Sequence, residues 1–395
     1  MLHFAIVGCG RIARRHAELL GTGQVSGARL VAVCDVVEER ARAFGEKYSV
    51  PYFTDCHRMM RAAGAGIDAL VIATPSGTHA RVCLDLAPYR KHIVVEKPMA
   101  LALHDADAMI EACERAGVRL FVVKQNRYNL PVVKLREAIE AGRFGKLVMG
   151  TVRVRWCRTQ DYYDQDAWRG TWAEDGGVFA NQASHHVDLL QWMMGEVETV
   201  YAQSATRLVN IEVEDTGVAV LQFKNGALGV IEATTAARPR DLEGSISILG
   251  ENGTVEIDGF AVNRMKTWMF CDGIDSDREV LERYRENPPN VYGFGHRRFL
   301  QEVVDCVVHD RPGAVDGRAG RRSLELITAI YESVERGGVV SLPVRPEKSR
   351  LGRDTGSARP QPRGEPDPDG AAGSATAPSS ARLSAPQSGM RSTIR

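Results

Sequence analysis

Two histidines stand side by side in GGVFANQASHHVDLL, residues 176–190, and a lysine follows an acid in HIVVEKP, residues 92–98. An imidazole titrates near neutral pH and can take a proton from a hydroxyl. An ammonium beside the same oxygen can stabilise developing negative charge. A free lysine titrates near about 10.4, so Lys97 would need desolvation or a cationic neighbour to act as a base itself. Lysine and histidine together suit proton transfer at a hydroxyl, and a hydroxyl that is to be oxidised would also need an acceptor for hydride. A helix presents only one of two adjacent side chains to a given pocket. At about 100° per residue, Asn181 and His185 share a face with Asp188, while His186 turns away with Gln182 and Leu190. The two rings therefore point to different faces, either of which could serve chemistry or packing, and Gly176-Gly177 leave backbone free to approach a substrate.

The hydride acceptor has a motif of its own. IVGCGRIA, residues 6–13, is a G-x-G-x-x-A sequence between a strand and a helix. Gly8 allows the tight turn, Gly10 lets the backbone approach a pyrophosphate, and Ala13 lets helix and strand pack closely. Arg11 and Ile12 open the helix whose N-terminus favours an anion. The next strand ends in Asp35, placed to accept hydrogen bonds from a ribose diol and to repel a 2′-phosphate. These features predict NAD rather than NADP.

The elements around these residues divide the chain. FAIVG, LVAVCD, ALVIAT, HIVVEKP and LFVVKQN alternate with helical stretches, which predicts a parallel α/β sheet with helices on both faces, a Rossmann domain over 1–122. Two strand ends join Lys97 at the binding edge: ATPSGTHA, with Thr74, Pro75, Ser76 and His79, and KQNRYN, with Gln125, Arg127, Tyr128 and Asn129. From 123 to 345, strands joined by Asn225-Gly226 and Asn252-Gly253 hairpins and closed by helices predict an α+β domain with a mostly antiparallel sheet. From 346 to 395 large apolar residues nearly vanish, which predicts a disordered tail.

Bulk properties exclude several classes. The 395 residues balance 50 Lys and Arg against 50 Asp and Glu, which argues against nucleic-acid or polybasic membrane binding. There is no long apolar run and no basic n-region before the first strand, so neither a membrane span nor a signal peptide is expected. The 8 cysteines form no C-x-x-C pair, which predicts no metal site and a reducing, cytoplasmic setting.

IVGCGRIA, ATPSGTH, VVEKPMA and GG…N-x-x-x-H-x-x-D, in this order, resemble the glucose–fructose oxidoreductase / inositol dehydrogenase / MocA (Gfo/Idh/MocA) family over about residues 1–345. The resemblance implies a Rossmann domain, a second domain on a large, mostly antiparallel sheet, NAD(P) between them, and dimers or tetramers formed through that sheet. It implies that Lys97 lies by the nicotinamide, that Glu96 belongs to the cofactor motif, and that the Trp168-Arg169 pair touches the cofactor. It also maps the reactive histidine onto His185. Asn181 stands where the family usually has aspartate, and an amide cannot relay a proton.

RWCRTQDYYDQDAWRGTWAEDGG followed by NQASHHVDLL is similar to bacterial UDP-N-acetyl-glucosaminuronate dehydrogenases of O-antigen pathways, which oxidise carbon 3 of the sugar. That similarity implies a nucleotide-sugar substrate and reoxidation of NADH by 2-oxoglutarate. Arginine forks suit its diphosphate and carboxylate, and aromatic faces suit its sugar and uracil. Arg158, Tyr163, Arg127 and Asn129 are thus substrate candidates beside Lys97, Asn181 and His185, and His296 could reach the site or simply pack. Three alternatives stay open: an inositol or glycoside dehydrogenase, an NAD-requiring glycosidase, and a non-catalytic NAD sensor.

Overall fold

The structure is a computed structural model that describes residues 1–274, 276–285, 293–313, 315–354 and 356. Strand β1 (Leu2–Val7) runs into helix α1 (Arg11–Gly21). The alternation continues through β2 (Ala28–Cys34), α2 (Glu38–Tyr48), β3 (Tyr52–Phe53), α3 (Cys56–Ala63), β4 (Ala69–Ile72), α4 (His79–Leu86), β5 (His92–Val95), α5 (Leu103–Ala116) and β6 (Leu120–Val122). The six strands are parallel, in the order β3-β2-β1-β4-β5-β6. β4 is apolar and buried along its whole length, as a strand covered on both faces must be. The order reverses between β1 and β4, and ligands bind such sheets at the crevice beyond those strand ends.

The second part begins with α6 (Leu130–Glu140), β7 (Leu147–Arg155), α7 (Gln160–Asp164) and α8 (Ser184–Met194). Strands β8 (Val197–Ala205), β9 (Thr216–Phe223), β10 (Leu228–Thr234), β11 (Glu243–Gly250), β12 (Gly253–Asp258) and β13 (Arg264–Phe270) follow. Helices α9 (Asp277–Arg283), α10 (Gly295–Val308) and α11 (Gly317–Arg336) and the short β14 (Val340–Ser341) close it. The eight strands are ordered β13-β12-β11-β7-β10-β9-β8-β14, and only β7 and β10 pair in parallel. Both Asn-Gly pairs join antiparallel neighbours as predicted, with Gly226 at φ +85°. Along β9, Ala219, Leu221 and Phe223 are buried, while Val218 and Val220 face outward. Helices α8 and α11 cover the inner face. No helix among the described residues is long and apolar enough to cross a membrane.

Three expectations need correction. The helix holding the histidines starts at Ser184, so Asn181 lies in the turn before it and not on its face. Helix α10 falls within 123–345 but does not belong to the second core. Its Phe299, Leu300, Val303 and Val304 are buried with Phe4, Ile6 and Phe121 of the first sheet and Leu20 of α1. The tail boundary at 346 is also too early. The buried Glu332 carboxylate accepts the backbone N–H groups of Glu347, Lys348 and Ser349, at 3.1, 2.9 and 2.8 Å. Leu351 is buried, and Gly352 N–H donates to the Trp172 carbonyl at 2.9 Å. This strap was illegible because backbone amides make most of its contacts. The rest of the expected tail, 357–395, lies outside the described residues.

Candidate active site

Lys97 stands two residues past the end of β5. Its Nζ donates to the backbone oxygen and to Oδ1 of Asn181, both at 3.1 Å. The Asn181 Nδ2 donates in turn to Asp175, whose other oxygen accepts the Gly170 N–H at 2.8 Å. Burial lowers the Lys97 ammonium below the usual lysine range, against the opposing pull of Glu96 and Asp175. Burial pushes the Asp175 carboxyl up to about 6, although Gly170, Arg169, Asn181 and Lys97 all oppose it.

His185 occupies the first turn of α8, and its Nε2 lies 2.9 Å from Nε2 of Gln125, in a 3₁₀ turn just beyond β6. Its Nδ1 has no hydrogen-bond partner among the described residues. Burial holds the ring well below its ordinary pKa, and the nearby Lys97 and Lys124 add to the shift. The shift favours the neutral ring, the form of an imidazole that can take a proton. His186 is fully buried, edge-on to Trp156 with centroids 6.0 Å apart, and burial lowers it to about 4. Its Nε2 would lie 2.8 Å from a Cβ placed on Gly244, so it packs against β11, away from Gln125.

The glycine turn after β1 leaves room for a dinucleotide. Gly8 takes φ +93°, and a Cβ there would come within 2.7 Å of the Ala73 carbonyl. A Cβ on Gly10 would meet nothing within 4 Å, and α1 has no side-chain cap, so its first amides stay available to an anion. Asp35 accepts the Cys9 and Val37 N–H groups at 2.7 and 2.8 Å, which fix its carboxylate at the end of β2 with lone pairs to spare for a diol. Arg11 donates to Asp166 at 2.6 Å, and Asp166 also accepts Arg169 Nε at 2.9 Å. Arg169 lies over Trp168 and Tyr162, at 4.4 and 4.7 Å from the ring centroids. Thr74, Pro75 and Ser76 line the end of β4, and Gly77 N–H donates to the Glu174 carbonyl at 3.0 Å. These residues fit a bound NAD.

Other expected contacts are committed elsewhere. His79 is buried, with Nδ1 on the Pro98 carbonyl at 2.8 Å and Nε2 on the Thr74 carbonyl at 2.9 Å, so it ties two loops together. The Arg127 fork grips Asp188 at 2.7 and 2.8 Å, with Lys124 Nζ 3.7 Å from the same carboxylate. Asn129 donates to the Ala261 carbonyl at 3.0 Å, and Arg158 donates to Asp241 at 2.9 Å. Tyr163 is buried with its hydroxyl 3.2 Å from Thr235 Oγ1, while the less buried Tyr162 faces Arg11, Arg158 and Arg169. Glu96 is 2.7 Å from His16 and 3.8 Å from His296. Burial raises its carboxyl, but His16, His296 and Lys97 together outweigh that and bring it down to about 2. His296 thus packs beneath the motif. The glycine pair also serves packing: a Cβ on Gly177 would collide with the Glu214 carboxylate, and one on Gly176 with Ala180 and Leu351. Sequence reasoning missed Asp175, Asp166 and Glu214, because loops bring them in and no spacing signals them.

Residues 2–124 match the oxidoreductase family NAD-binding Rossmann fold, and residues 136–342 match the same family's C-terminal alpha/beta domain. The chain belongs to the Gfo/Idh/MocA oxidoreductase family. It is similar to the WlbA dehydrogenase of Bordetella pertussis, solved with NADH and UDP-GlcNAcA, at 44% identity and a TM-score of 0.78, over 87% of this chain and 99% of that one. For the Chromobacterium violaceum WlbA dehydrogenase, solved with the same two molecules, the values are 40% and 0.81, over 87% and 96%. Myo-inositol 2-dehydrogenase of Thermotoga maritima is 32% identical, over 86% of this chain and 98% of its own length. The chain is an NAD-dependent sugar dehydrogenase.

Proposed function

We propose that this enzyme oxidises the 3-hydroxyl of UDP-N-acetyl-glucosaminuronate, in a cytoplasmic pathway to O-antigen sugars. The observation that carries this reading is the meeting of Lys97, Asn181 and a neutral His185 beyond the ends of β5 and β6, in a chain 40–44% identical to the two WlbA dehydrogenases. When bound, NAD accepts the hydride from the sugar carbon. His185 takes the hydroxyl proton. Two Lys97 N–H groups are held by Asn181, and the third is left for the substrate oxygen, where it stabilises the charge that builds as the proton leaves. Reoxidation of NADH by 2-oxoglutarate completes the cycle.

A homo-oligomer belongs to the same proposal. On the outer face of the eight-stranded sheet, Tyr201, Val220 and Val230 sit in cross-strand register, with Val218 and Leu228 about half exposed beside them. Such a face suits a second copy of the chain.

The inositol reading is favoured by one observation, the 32% identity to the Thermotoga enzyme. The test supplies NAD and 2-oxoglutarate with UDP-N-acetyl-glucosaminuronate, or with a panel of inositols and free sugars, and identifies products by mass spectrometry. A 3-keto nucleotide sugar with 2-hydroxyglutarate is expected. Turnover of an inositol, with none of the nucleotide sugar, would replace the proposal by the second reading.

A further inference from the structure

Asn181 lies between Lys97 and a carboxylate that no motif marks. The Lys97 ammonium rests on Asn181, and the amide of Asn181 rests on Asp175. Asp175 is 1% exposed, held by the Gly170 N–H at 2.8 Å, and its own N–H donates to the Thr171 carbonyl at 3.2 Å. We propose that Asp175 is a positioning residue: through the Asn181 amide, its charge fixes how the Lys97 ammonium is held. This inference rests on the reading that Lys97 serves the reacting oxygen.

The argument is one of donors and acceptors. An ionised carboxylate only accepts, so Asn181 must give it the NH₂ group and turn Oδ1 toward Lys97. A neutral acid carries a donor, and the amide can then reverse. Its NH₂ would face an ammonium that has no acceptor to offer, and Lys97 would keep only the Asn181 backbone oxygen. The ionisation of Asp175 is thus transmitted as the sense of an amide, without proton transfer along the chain. Burial sets that ionisation near the working pH of an enzyme. The charged or titratable groups facing Asp175 are Arg169, Lys97 and Tyr163.

Two variants separate charge from shape. Asp175→Asn removes the charge at constant size, and Asp175→Asn with Asn181→Asp moves the carboxylate one link closer to Lys97. Two readouts are taken. One is the pH dependence of Lys97 acylation by acetic anhydride in the free enzyme, followed by peptide mass spectrometry. The other is kcat between about pH 5 and pH 9. In Asp175→Asn we expect Lys97 to become more reactive at a given pH, kcat to fall by about 10²-fold with NAD affinity unchanged, and the acid limb near 6 to vanish. The double variant should recover most of that loss. Wild-type labelling and pH profile in a folded, NAD-binding Asp175→Asn protein would overturn the proposal. So would a loss of activity that the double variant does not repair while labelling stays unchanged, since that is a structural defect. The labelling needs no substrate, so it still decides if the substrate reading fails.

Discussion

What separates two adjacent imidazoles is what each ring faces. His185 meets Gln125 at 2.9 Å, whereas His186 is sealed against Trp156 and β11. His185→Ala is expected to lower kcat by about 10²–10⁴-fold, within the range for losing a general base, with little change in melting temperature. His186→Ala should keep kcat within a few-fold but cost about 2–4 kcal/mol of stability through the cavity it leaves. Parallel kinetic and thermal-melting measurements on the two variants check both statements. Side-chain phase correctly put His185 and Asp188 three residues apart on α8, but its third member, Asn181, lies before the helix begins. The phase of Tyr162 and Tyr163 was not readable, because α7 is one short turn whose start only the surrounding loops determine. Arg127 and Asn129 look like substrate ligands in a one-dimensional reading, yet Asp188 and the 261–262 turn, far along the chain, already hold them.

Among the elements, the strap after β14 bears most directly on the site. Glu332 gathers three amides into a buried nest, and the strap then lays Leu351 against Gly176 and bonds Gly352 to Trp172. Those contacts press on the loop that carries Asp175 into the site. Glu332→Ala should therefore destabilise the protein by about 2–4 kcal/mol, since the amides of Glu347, Lys348 and the buried Ser349 lose their acceptor. A chain ending at residue 345 should do the same and also open the 170–177 loop to proteolysis. Urea denaturation and limited proteolysis test this; unchanged cleavage of that loop would mean that the strap does not support it. The strands and hairpins were legible from β-branched runs and Asn-Gly pairs. The two-residue β3 and β13, RMKTWMF, whose one β-branched residue is Thr267, gave no comparable signal.

At the scale of the molecule, pH acts through a second buried acid. Glu214 accepts the Phe179 N–H at 3.0 Å and the Tyr331 hydroxyl at 2.9 Å, and burial pushes it up from 4.5 to about 7. The fold prefers its protonated form, so this contribution to stability is full below about 4.5 and is lost as pH rises through about 7. Its size is on the order of 3 kcal/mol. Wild type should accordingly lose stability to urea between pH 5.5 and pH 8, and Glu214→Gln should flatten that slope. The open sheet face offers another test. Val218→Lys with Val220→Lys is expected to leave a monomer in size-exclusion light scattering where the wild type runs as the proposed oligomer, because burying two unpaired ammonium groups is costly.

Because α10 completes the first core, the Rossmann unit is not a module that can be lifted out. A gene fragment stopping at residue 124 would leave the surface under Phe299, Leu300, Val303 and Val304 wet, at about 1.5–3 kcal/mol for each missing side chain. Such a fragment should aggregate when expressed alone. A synthetic peptide covering 293–313 should rescue it in trans, making the pair a split-protein complementation system. Recovery of soluble fragment with the peptide, and none with a Phe299→Asp peptide, is the expected result.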